Sequence, residues 1–288
     1  MFKRLFVIGA GVASVGAAVA VLQARAAFRT WGIDPQEATQ VLPGDELVPD
    51  AEAIDTRGID IAAPPADVWP WLVQMGYGRA GWYSYDELDM DRPSAERIIP
   101  ELQNLEVGDV VPTHPGGGFE VKIVEPGRAL VLYSDRELVE TQAAAAREGL
   151  ESASTNVRAA GAYLDASMPG EFKASWAFVL EPGADGGTRL IERFRGHMAP
   201  PEGRPAPPAI AGKALLFGLF VMVRRQMLGI RDRAEGRPIS HAPWREVALA
   251  ARAKAMDAAA AARVRAEAGV APTTPAAPTG AAAAATPA

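Results

Sequence analysis

From residue 57 onward, apolar and polar positions alternate in short runs. Arg57-Gly-Ile-Asp-Ile61 has a period of two that sets Ile59 and Ile61 on one face, the pattern of a first strand. Ala66 to Met75 reads as a short helix entered through Pro64-Pro65, where a missing amide donor costs nothing, although Pro70 falls where the first turn ends. Gly76 and Gly78 stop it, and Gly81-Trp-Tyr-Ser-Tyr-Asp86 reads as the start of a second helical piece. Strand patterning returns at Val110-Val111, Phe119 to Val124 and Ala129 to Tyr133, with Glu125-Pro-Gly-Arg128 as the turn joining the last two. These predict an antiparallel meander. Phe172, Ala174, Trp176, Phe178 and Leu180 then share one face of a longer strand, Lys173, Ser175 and Glu181 the other, and Gly183 to Gly187 turns the chain into Thr188 to Gly196. In Ala209 to Ala234 the spacing becomes helical: Leu216, Leu219, Phe220, Val223, Met227 and Ile230 recur on one face, predicting a core helix. Its uncharged section, Ala214 to Val223, is too short to span a bilayer.

The segments flanking this pattern read differently. MFKR precedes Leu5 to Leu22, an uncharged run of 18 residues, long enough to cross a hydrocarbon core of about 30 Å. A cleaved secretory signal competes with an anchor here, because Lys3-Arg4 opens the segment and Ala24-Arg25-Ala26 resembles a cleavage site, but the apolar run exceeds the usual signal length. An uncleaved single-pass membrane helix over 1–27 is the reading adopted. Gly9, Ala13 and Ala17 put small residues on one face, which permits self-association in lipid. Lys3, Arg4 and the terminal amine outweigh Arg25 and Arg29, tilting the domain to the extracytoplasmic side. Residues 28–53, punctuated by Pro35, Pro43 and Pro49, form a linker or surface strap. Asp135 to Gly170 is an insertion between adjacent strands and contains the helix-prone VETQAAAAREGLESA. Residues 235–288 form an Ala/Pro-rich tail, partly helical and then disordered.

Composition narrows the chemistry. With no cysteine, disulfides, thiolate metal sites and cysteine nucleophiles are excluded. A net charge of −6 without a basic block argues against nucleic acid as a partner. Nearly all the aromatic residues lie within 31–234, enough for a sizeable core in one domain.

The order of elements over 54–234, together with IDIAAPPADVWPWLVQMGYGRAGWYSYDEL, LEVGDVVP, EPGRALVL and WAFVLEPGADGGTRLIERF, resembles the SRPBCC superfamily of START-like, polyketide-cyclase-like helix-grip proteins, in an actinobacterial-type branch. The resemblance implies an α+β fold, a curved antiparallel sheet of six to seven strands wrapped around the long C-terminal helix, with an apolar cavity between them. It also implies a hydrophobic small molecule as partner, of the lipid, polyketide or quinone class. The 135–170 insertion and the tail depart from the family pattern.

Candidate chemistry is sparse. Trp82, Tyr83 and Tyr85 combine ring bulk with phenol groups suited to a pocket mouth, or else they pin the second helix to the sheet. Trp176, Phe178 and Phe220 are placed to line a cavity, or to fill a core. Glu192 shares strand phase with Leu190 and Phe194, whereas Arg193 and Arg195 share the other phase. An inward carboxylate would have a raised pKa and could act as a general acid or base, with His114 or Tyr83 as aid; pairing with a cross-strand arginine is the competing explanation. Three scattered histidines make no metal site, and no cofactor motif is present: Gly116-Gly-Gly118 precedes a strand, without phosphate-binding context. The sequence therefore predicts a membrane-tethered binding or carrier protein, more a container than an enzyme. The alternatives are an aromatase/cyclase-like or hydrolase-like enzyme using Glu192, and an envelope interaction module.

Overall fold

The computed structural model describes residues 28–152, 171–199 and 209–239. Six strands form one antiparallel sheet: β1 Ala53–Ile61, β2 Val110–His114, β3 Gly117–Glu125, β4 Ala129–Asp135, β5 Glu171–Pro182 and β6 Thr188–Ala199, in the spatial order β1-β6-β5-β4-β3-β2. The helices are α1 Pro35–Thr39, α2 Pro65–Val73, α3 Asp86–Asp89, α4 Arg136–Ser152 and α5 Ala209–Ala234. Each strand read from the sequence is present. The β3–β4 hairpin turns where expected: Arg128 N donates to Glu125 O at 2.9 Å, and Gly127, at φ 72°, follows Pro126 as a type II turn requires. The first strand pairs with the last, Ala53 opposite Gly196 through Ile61 opposite Thr188 without a bulge, so strand phase along β6 is unambiguous.

The sheet is covered on both faces. Its inner face carries Ile59, Ile61, Leu130, Leu132, Phe178, Leu180 and Leu190, packed with Val68, Trp71 and Leu72 of α2 and with Met227 and Ile230 of α5. Its outer face carries Ala129, Val131, Ala177, Val179 and Ile191, closed by Leu42 and the half-buried Leu47 from the segment ahead of β1. The outer phase of β6 supplies the clasps. Arg193 donates to Asp45 and to the Gln40 carbonyl, both at 2.7 Å, Arg195 reaches the Val48 carbonyl at 3.0 Å, and Arg189 pairs with Glu37 at 2.6 Å. A bulge at Lys122, where Val121 faces Leu132 but Ile123 faces Val131, moves β3 from one face to the other. Hence Phe119 and Val121 belong inside while Ile123 belongs outside.

Two sequence expectations are corrected. Residues 81–85 are not helical; only Asp86–Asp89 forms α3. Gly81 at φ 86° and Tyr83 at φ 57° both adopt left-handed backbone, which ends any right-handed helix, and the Ser94 hydroxyl takes up the Tyr83 amide at 3.0 Å. Leu216 and Leu219 do not share the core face of α5: they are 42% and 50% exposed, whereas Phe220, Met227 and Ile230 are buried. The C-terminal half of α5 packs on α2 and β1. There Gly229 lies so close to the Tyr83 carbonyl that a β-carbon would stand 2.2 Å from the oxygen.

The insertion opens with α4, started by the Asp135 carboxylate accepting from Leu138 N at 2.8 Å. It lies against β3, where the Gln142 side chain accepts from Gly118 N at 2.8 Å. No helix among the described residues is long and apolar enough to cross a membrane. The apolar run 5–22 with Gly9, Ala13 and Ala17, the remainder of the insertion, and the tail beyond residue 239 lie outside the described residues.

Candidate functional site

The inner face gathers rings around Trp176. This side chain, from the middle of β5, stacks on Trp82 with centroids 5.4 Å apart and planes 24° from parallel. Phe178 lies 5.0 Å away and Phe119, from β3, 5.9 Å away edge-on. Trp82 and Phe178 are buried, but Trp176 and Phe119 remain partly accessible although both point to the inner side. Aromatic side chains bury about 150–250 Å² each and dominate the energetics of a core face. Trp176 and Phe119 are packed against this core and remain only partly buried.

Behind the rings runs a compensated ion network. Glu192 is fully buried; its Oε1 accepts from the Trp176 indole at 2.7 Å and its Oε2 accepts from Arg57 Nη1 at 3.0 Å. Arg57 is the residue directly opposite Glu192 in the β1–β6 register. The same guanidinium donates to Asp55 at 3.0 Å and to the Phe28 carbonyl at 3.0 Å, and Arg29 pairs with Asp55 at 2.6 Å. Two carboxylates and two guanidiniums thus balance, which is how buried charge is tolerated. Burial pushes the Glu192 carboxyl up from its ordinary range, while the charge of Arg57 and the bonds from Arg57 and Trp176 pull it back. Arg57 also lies over the Phe220 ring, 5.9 Å from its centroid, and Phe220 packs on Phe28 at 5.0 Å and Trp31 at 6.3 Å. One polar core therefore joins two aromatic groups.

The residues singled out from sequence divide accordingly. Trp82, Trp176 and Phe178 come together at one wall, and Phe220 stands across Arg57 from it. Tyr83 is a pinning residue: its hydroxyl donates to the Trp71 carbonyl at 3.1 Å and accepts from Gln74 at 3.0 Å, Arg233 of α5 lies 4.5 Å above its ring, and burial raises its phenol pKa far above the usual value. Tyr85 is half-buried just ahead of α3. His114 ends β2, four strands from β6, or about 19 Å at the usual strand spacing; it cannot meet Glu192. Both Glu192 oxygens are engaged and His114 is distant, so these two residues are not brought together. Among the described residues no group of three His, Asp or Glu side chains could hold a metal.

Sequence reasoning missed Arg57, Asp55 and Phe119. The first two carried a signal: Asp55, Arg57, Ile59 and Ile61 share one phase of β1, so the strand whose isoleucines face inward also carries the partner for an inward carboxylate. Phe119 carried none, because the Lys122 bulge severs its phase from the rest of its strand. A separate open cleft of about 630 Å³, lined by Asp34, Glu37, Asp60, Glu181 and Arg189 among others, is polar and occupied by the Arg189–Glu37 pair, unsuited to an apolar ligand.

No protein-family model matches the chain, and no curated protein matches it. Among solved structures it is similar to protein MLL2253 from Mesorhizobium loti, at 14% identity over 65% of this chain and 100% of that one, with a TM-score of 0.32. It is similar also to Ara h 8.0201, at 14% identity over 64% and 95% with a TM-score of 0.29. A third is an Arabidopsis thaliana member of the major latex protein family, at 12% identity over 62% and 94% with a TM-score of 0.25. The six-stranded antiparallel sheet packed against α5, a helix-grip-like α+β arrangement, stands on the chain's own pairing.

Proposed function

We propose that the domain is a START-like helix-grip module that binds and carries an apolar small molecule of the lipid, polyketide or quinone class against the Trp176 wall, with residues 5–22 tethering it to a membrane. The supporting observation is that Trp176 and Phe119, rings in edge-on contact on the inner face, are both only partly buried. Their exposed ring surface is apolar, and the charges beside it are already spent on one another, so the site rewards hydrophobic contact over ionic recognition. A loss of water from such a wall is worth about 25 cal/mol for each Å² covered.

Native mass spectrometry of the full chain released from detergent tests the reading. The expected spectrum contains a co-purifying apolar adduct, lost when the sample is extracted with organic solvent. A bare chain mass, with tryptophan emission unchanged on titration with an anilinonaphthalene sulfonate probe, would overturn it.

A further inference from the structure

One turn of α5 is exposed around most of its circumference. Leu216, Phe217, Gly218 and Leu219 are all exposed, the three apolar side chains at 42%, 49% and 50%. Successive helical positions step about 100° around the axis, so four in a row sweep nearly the whole circumference. The turn protrudes; it is not the loose edge of a packed face.

Its neighbours indicate what it meets. The Phe28 ring packs on Phe217 at 5.2 Å and on Phe220 at 5.0 Å, and Phe28 lies six residues beyond Leu22, the end of the uncharged run. Six residues span at most about 20 Å even when fully extended. A bilayer holding residues 5–22 is therefore within that reach of the exposed turn. On the side toward the domain the apolar surface ends in Arg224, which is exposed and lies 5.0 Å over the Trp31 ring, and in sequence Lys213 bounds the uncharged stretch on the other side. Apolar bulk rimmed by cations and tryptophan is the composition of a segment at the headgroup boundary.

We propose that Leu216, Phe217 and Leu219 insert into the bilayer interface, so that the domain lies against the membrane through the first half of α5 and does not hang free from its tether. The proposal rests on the membrane reading of residues 5–22, and the test separates the two.

The chain has no cysteine, so Phe217→Cys, Leu219→Cys and Val41→Cys each give one labelling site. Val41 is 88% exposed and belongs to the segment covering the sheet face opposite α5. The full-length variants are labelled with a nitrobenzoxadiazole dye and reconstituted into phosphatidylcholine–phosphatidylglycerol vesicles, with and without doxyl-labelled lipid. Expected is flotation of all three, with blue-shifted emission at 217 and 219 and quenching by doxyl lipid about twofold or more above that at 41. Flotation with water-like, unquenched emission at 217 and 219 overturns the interfacial seat and leaves the tether standing. Blue-shifted emission without lipid quenching also overturns it, showing cover by protein, either a second copy or residues 5–22. Failure to float overturns the tether and the seat together.

Discussion

The two faces of the sheet solve the same burial problem by different means. Outside, small aliphatic side chains, Ala129, Val131, Ala177, Val179 and Ile191, lie under a strap held down by Arg189, Arg193 and Arg195. Arg193 is spent on the carbonyls of Glu37, Ala38 and Gln40 and on Asp45, so its charge fastens chain to chain. Inside, the side chains are large and aromatic, the cover is a helix with one exposed apolar turn at Leu216 to Leu219, and the buried arginine, Arg57, serves a carboxylate that in turn holds an indole. One face closes on itself. The other positions rings and leaves several of them, Trp176 and Phe119 among them, only partly buried.

The largest effect should come from the inner cation. Arg57→Met leaves Glu192 buried without a counter-charge, at an expected cost of about 3–5 kcal/mol, read from the urea midpoint. Arg193→Met on the outer face should cost about 2–3 kcal/mol through lost charge-assisted hydrogen bonds and leave the apolar adduct in place. Loss of the adduct in that variant would break the distinction between the faces. Phe119→Ala should invert the pattern. Its ring is only partly buried, so the stability loss is expected at about 1–2 kcal/mol, below the range for a fully buried ring, with the adduct sharply reduced.

The smallest effect concerns pH. Burial raises the folded-state pKa of Glu192 above its ordinary 4.5, so between that value and the folded one the folded chain keeps a proton that the unfolded chain has released, and the ion pair with Arg57 is complete only above the folded value. The proton's contribution to stability is complete below the ordinary value and is lost as pH rises through the folded one. Glu192→Gln should flatten the stability profile above pH 4.5 relative to the unsubstituted chain. Parallel profiles would show that the carboxyl does not titrate in this window.

Period-two patterning was enough to find the strands, because a sheet buried on its inner face writes its phase into each strand, and the unbroken β1–β6 register kept Glu192 on the side its neighbours Leu190 and Phe194 indicated. The Pro126-Gly127 turn was legible because only one turn type suits that pair. Elsewhere the determinants are not periodic. Leu42 and Leu47 close the outer face from a segment without repeating pattern, and the three arginines that hold it are ordinary exposed-looking residues until the segment folds over them. Helical spacing showed which side of α5 is apolar but not how far the domain extends along it, so Leu216 and Leu219 were expected inside. The aromatic stretch 81–86 looked helical by composition, whereas the approach of Gly229 and the left-handed Tyr83 are tertiary constraints. For the site, Trp176 and Phe178 were found as rings on a strand and Trp82 at the start of an expected helical piece; their connection through Glu192 to Arg57 needed the strand order.

The most direct measurement is photolabelling of the full chain with an apolar diazirine, mapped by peptide mass spectrometry. Insertion into Phe119 and Trp176, displaced by the solvent extract of the native preparation, with Val131 and Val179 untouched, is the result expected if the inner wall holds an apolar ligand. Labels distributed equally over both faces, or absent from Phe119 and Trp176, would contradict it.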